Sequence, residues 1–116
     1  PWLRKIRRSF GNQLHFWPLD GWQVPETKSV IAEAYPALWN RKYLQNDRTS
    51  DQHDAFVIAA AMCDADASGE LMDWFCPVMP ASLYTAGLVE GWILGVTQSP
   101  LGKTTVSDLY KIWSIN

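Results

Sequence analysis

Two stretches decide how this chain is read: Ser29–Ala37, SVIAEAYPA, and Thr49–Ala67, TSDQHDAFVIAAAMCDADA. The second is the clearest helix. Thr49 stands three residues before Gln52, the spacing of a capping box, in which two side chains satisfy the first free backbone N–H groups. Asp51 falls in the first turn, where a negative charge complements the helix dipole. No Gly or Pro interrupts Ala55–Cys63, and Gly69 is the expected stop, so the spacing predicts a helix over 50–67. The first stretch is β-branched at Val30 and Ile31, carries one carboxylate at Glu33 and ends at Pro36. That pattern predicts a strand over 29–35 covered on both faces, as in parallel or mixed sheets.

Working outward, Leu14–Trp17 reads as a second short strand, stopped by Pro18 and the Asp20-Gly21 turn. Trp2, Leu3, Ile6 and Phe10 make one helical stripe over 2–10, with Arg4, Lys5, Arg7 and Arg8 on the remaining surface. Pro36 opens a short turn, 40–50 is a polar basic loop, and a short helix is expected at 70–75 before the Pro77–Pro80 break. Further helices are predicted over 81–94 and 105–113, separated by a loop at 97–103. The fold class is therefore α/β, a short mixed sheet flanked by helices. It reads as one domain over 1–96, with 97–116 a loop and helix packing on it or extending it.

At 116 residues, 47% hydrophobic and 19% charged, the chain has the composition of a folded domain and not of a disordered tail. Ten basic and twelve acidic residues give a net charge of −2, so no global field favours nucleic acid, although a local patch can still contact phosphate. No run approaches the roughly 20 apolar residues of a membrane span. Two cysteines, Cys63 and Cys76, form neither a CxxC nor a zinc pattern, and no secretory signal is visible. The thiols are expected to be reduced and partly buried, the location cytoplasmic, and no membrane partner is expected. Seven Trp read as a compact aromatic core, the sharper alternative being a stacking platform for bases or sugars.

Chemistry is expected at the start of the long helix. Asp51 and Asp54 are three apart and project from one face, which would continue through Ala55, Ile58 and Met62 to a buried surface. If Glu33 meets that rim, three carboxylates converge, the donor set that hard cations such as Mg²⁺ and Mn²⁺ take. The plainer reading gives Asp51 to the helix terminus and Asp54 to surface hydrogen bonds. Arg41, Lys42 and Arg48, in the loop leading to this helix, are candidate phosphate contacts. His53 is expected at the surface on another side of the helix, the alternative being a histidine beside the metal. His15 is expected in the core, Cys63 as a small core residue, and Glu90 as a buried hydrogen-bonding group. Gly102-Lys103-Thr104 lacks the glycine of a phosphate loop five positions earlier, so no nucleotide cofactor is expected.

The order SVIAEAYPA, polar loop, TSDQHDAFVIAA resembles the second half of the ribonuclease H-like fold. More narrowly, it is similar to a bacterial family of uncharacterised predicted ribonuclease H-like nucleases, over roughly residues 15–96, including PLDGW and EGWILGV. The resemblance implies a central mixed sheet and a metal site. Glu33 matches the family's strand-end acid, Asp54 its helix acid, and Asp51 the further helix carboxylate of junction-resolving relatives. It also implies an opening β-meander carrying a central Asp, which has no counterpart in these residues. The expectation is a truncated relative, inactive or crippled. The alternative is an active Mg/Mn phosphodiesterase whose missing ligand comes from another chain. Two strands are too few to stand alone, so a twofold homodimer is expected.

Overall fold

The structure, a computed structural model, describes residues 1–97. The predicted helix at 105–113, Trp113 and the Gly102–Thr104 motif lie outside the described residues, as does nearly all of 97–116. Among the described residues the protein is mixed α/β, with four helices and one two-stranded sheet. The order is α1 (Trp2–Phe10), β1 (Leu14–Phe16), β2 (Ser29–Ile31), α2 (Ser50–Ala67), α3 (Leu71–Phe75) and α4 (Ala81–Glu90). Single 3-10 turns occupy Gly11–Gln13, Pro36–Leu38 and Asn40–Lys42. The chain divides into two compact units, one of residues 1–33 and 80–92, the other of 34–79 and the residues from 93 onward.

The first unit is built on β1 and β2, which pair in parallel with His15 opposite Val30. Both strands are shorter than predicted. β2 ends at Ile31, and Glu33 makes only an isolated bridge beyond it, so the apolar look of Ala34 and Tyr35 reflects half-burial outside the sheet. After β1 the chain turns sharply through a cis Trp17–Pro18 bond, and two main-chain hydrogen bonds close the turn, Asp20 N–H to Phe16 C=O and Gly21 N–H to Pro18 C=O. His15, Phe16, Trp17 and Pro18 are all buried. His15 Nε2 lies 2.8 Å from the Gly21 carbonyl. A carbonyl only accepts, so that nitrogen carries the proton. The core histidine expected at this position is there.

Trp22 centres the aromatic packing of this unit. Its ring meets Trp17, Tyr84 and Trp92 edge-on at centroid distances of 5.3, 5.1 and 6.1 Å, and its Nε1–H donates to the Tyr84 carbonyl at 3.0 Å. The amphipathic indole thus has both an apolar surround and a polar partner. α4 passes so close that a Cβ at Gly87 would stand 2.5 Å from Trp22 Cζ2. α4 ends at Glu90, four residues before the predicted 94, because Gly91 turns out of the helix at φ +86°. Glu90, expected to be buried, is exposed.

In the second unit α2 has the predicted bounds and cap. The Gln52 N–H donates to Thr49 Oγ1 at 3.3 Å, and the Thr49 N–H donates to Gln52 Oε1 at 3.0 Å. The buried face is not the expected one. His53, Val57, Ala61 and Ala65 recur every fourth residue and are all buried, whereas Ala55 is exposed and Ile58 and Met62 only half-buried. Cys63 and Cys76, expected to be partly buried, are both exposed free thiols. Trp74 of α3 is buried and stacks on Trp39, with centroids 5.0 Å apart and planes 12° from parallel. Ile93, Leu94 and Val96 add further buried apolar groups. No helix among the described residues is long and apolar enough to cross a membrane.

Candidate functional site

Thr49 caps α2 and so fixes its first turn, which carries Asp51, with Asp54 three residues further on. Both side chains are exposed, and neither takes part in a hydrogen bond or ion pair among the described residues. On a helix, residues three apart stand about 5–6 Å from each other at Cβ. Two free carboxylates are therefore presented together to solvent, at the helix end where anionic charge is favoured. The buried face runs through His53, Val57, Ala61 and Ala65, and Asp54, three residues before Val57, borders it while remaining exposed. Glu33 is exposed as well and belongs to the first unit, while both aspartates belong to the second. Among the described residues no group of three or more His, Cys, Asp or Glu side chains is gathered to hold a metal ion. Two carboxylates with water completing the shell still suit Mg²⁺ or Mn²⁺, which keep much of their hydration.

His53 corrects the surface placement expected from one-residue spacing. It is buried, its ring lies 17° from parallel with Phe56 at 6.4 Å, and Nδ1 has no hydrogen-bond partner among the described residues. The signal that locates it is the fourfold spacing 53, 57, 61, 65. A histidine at the head of a row of Val and Ala belongs to the row, whatever acids flank it in sequence.

The basic loop is more committed than its composition suggests. The Arg48 guanidinium carbon sits 3.6 Å from the centre of the Phe56 ring, and Nη1 donates to the carbonyls of Leu44 at 2.9 Å and Gln45 at 3.1 Å. Lys42 Nζ lies 3.4 Å from Asp64, which also accepts the Tyr43 hydroxyl at 2.6 Å. Phosphate reaching Lys42 or Arg48 would have to compete with these partners. Arg41 is exposed and engages none among the described residues. Tyr43, Phe56 and Asp64 were not singled out by sequence, since each matters only through its neighbours in space.

The Tyr43–Asp64 bond has a measurable consequence. Donation to the carboxylate, the largest influence, pushes the Tyr43 phenol up from 10.0 to about 12, while Tyr43 and then Lys42 hold Asp64 below the ordinary carboxylate value. A raised folded value means the neutral phenol is favoured by folding. The bond's contribution is intact below pH 10 and is lost as pH rises through about 12. The difference in phenolate absorbance between wild type and Tyr43→Phe should rise near pH 12 and stay flat near pH 10. A difference step centred near 10 would show that the bond does not persist in solution.

No family model, curated protein or solved structure matches the chain.

Proposed function

We propose that this chain is part of a ribonuclease H-like fold, related to metal-dependent nucleases and inactive or crippled when it acts alone. The observation that supports this reading is the pair Asp51 and Asp54, exposed one helical turn apart and unpaired among the described residues. Carboxylates that served only the fold would be expected to cap a backbone group or pair with a cation. Here Thr49 does the capping, and the nearby cations Lys42 and Arg48 go to Asp64 and to loop carbonyls. Glu33 enters as a third metal ligand through the resemblance alone. Mg²⁺ or Mn²⁺, when bound, supplies a Lewis acid and an activated water for attack on a phosphodiester. Arg41, Lys42 and Arg48 are the proposed phosphate contacts. The proposed setting is cytoplasmic, and the proposed assembly is a homodimer.

The test is titration with Mn²⁺, followed by the paramagnetic signal of the free ion. Replacing Asp51 and Asp54 together by Asn should weaken binding at least about tenfold, because ligand charge sets affinity at oxygen sites. Cleavage of single- and double-stranded DNA and RNA by the wild-type chain should stay at the level of that double variant. Mn²⁺ binding indifferent to both aspartates would end the reading. Cleavage that depends on them would replace the crippled relative with an active phosphodiesterase.

A further inference from the structure

We infer that α1 lies on an anionic lipid surface, with its apolar side against the acyl boundary and its cations among the headgroups. Successive residues of a helix are about 100° apart, which places Trp2, Ile6, Phe10 and Leu3 within an arc of about 100°. Lys5 and Arg7 flank that arc, and Arg4 and Arg8 occupy the back. The helix contains no acidic residue and buries none of its own, with Trp2 65%, Phe10 53% and Leu3 41% exposed. Arg7 ties one flank of α1 to its unit. Arg7 reaches Asp20 with both terminal nitrogens, the nearest contact 3.1 Å, and its guanidinium lies 4.1 Å over the Phe16 ring. The tie through Arg7 leaves Trp2, Leu3 and Phe10 exposed, with Ile6 half-buried between them.

The charge pattern selects the occupant. Four cations on nine residues, in a chain whose net charge is −2, call for an anionic partner. A nucleic-acid backbone would satisfy the cations but offers no apolar phase to Leu3 and Ile6. A second α1 would meet the apolar arc but set cation against cation. An anionic bilayer takes both sides at once, with Trp favoured at the headgroup level and long basic side chains reaching back to phosphate. Nine residues at 1.5 Å each are far too short to span, so the helix lies on the surface. The lack of a spanning segment predicts no membrane partner, but lying on a surface does not need a segment that can cross. The inference is independent of the metal reading.

The experiment is co-sedimentation of the full chain with two kinds of vesicle, phosphatidylcholine alone and phosphatidylcholine with about one-third phosphatidylserine. Binding to the anionic vesicles should be at least about tenfold stronger, and it should weaken as salt is raised. Arg4→Glu with Arg8→Glu should abolish the difference, and Trp2→Ser with Phe10→Ser should abolish binding. All four positions are exposed, so the fold is kept, and Arg7 is left in place to hold Asp20. Equal binding to both vesicles, binding that survives either double variant, or no binding to either vesicle would overturn the inference. So would capture of a nucleic-acid oligomer, or a dimer lost in the Trp2/Phe10 variant, without vesicle binding.

Discussion

Trp74→Ala should lower the stability of the protein by about 3–5 kcal/mol, the range for removing a large buried aromatic side chain. α3 has five residues, too few to hold a helix by its own hydrogen bonds, so its position depends on what it buries. Trp74 is the buried residue of α3, and its ring lies nearly flat against Trp39. Removing it empties the site and strips one face from Trp39. A domain of ordinary stability has about 5–15 kcal/mol to lose, so the expected fall in Tm is on the order of 15 °C. Met72→Ala on the same short helix is the control. Met72 is 70% exposed and should change stability by no more than about 0.5 kcal/mol. If the two variants melt together, Trp74 does not anchor α3.

Gly95→Ala should cost about 2–5 kcal/mol, from two separable sources. The residue sits at φ +90°, where a side chain adds about 1–2 kcal/mol of backbone strain. Its new Cβ would also stand 2.6 Å from Trp39 Cζ2 and 3.3 Å from Cη2. Trp39 cannot simply tilt away, because it is stacked on Trp74, and forcing atoms into packed space costs about 1–3 kcal/mol. Urea unfolding of Gly95→Ala alone and combined with Trp39→Leu separates the two. The smaller side chain should relieve the steric part and leave the backbone part, giving a favourable coupling of about 1–3 kcal/mol. Strict additivity would mean that Trp39 and Gly95 do not touch.

Local chemistry made most of the elements readable. The Thr49/Gln52 capping box and Gly69 set α2 to the residue, and the stripe Trp2, Leu3, Ile6, Phe10 set α1. Reading failed where the outcome depended on contacts distant in sequence. Asp51 and Asp54 drew the buried face of α2 towards themselves on paper, yet packing selected the row through His53 and Val57. Cys63 looked like a core residue because its neighbours are alanines, but it lies off that row and is exposed. Ala34 and Tyr35 extended β2 on composition, although a strand continues only while a neighbour supplies hydrogen bonds. At the candidate site, the exposure and freedom of Asp51 and Asp54 and the partners of Lys42 and Arg48 are set by neighbours in space that residue spacing does not reveal.

The Asp20 carboxylate also governs what β1 can recruit. Neighbouring residues of a strand direct their amides to opposite edges. The Trp17 N–H donates to Ile31 on β2 at 2.9 Å, so the Phe16 amide faces the other way, where Asp20 Oδ2 accepts its N–H at 2.8 Å. The Phe16 carbonyl takes the Asp20 N–H, also at 2.8 Å. Burial, the largest single influence, pushes the Asp20 carboxyl up, but the Phe16 N–H and the Arg7 guanidinium together hold it below 3.8. Above that value the charged latch is intact, and it loosens as pH falls below it. At neutral pH a stray strand that tried to template on this edge would have to displace both bonds at Phe16. Acid, by protonating Asp20, weakens the bond to the Phe16 N–H and leaves the main-chain bond to the Phe16 carbonyl in place.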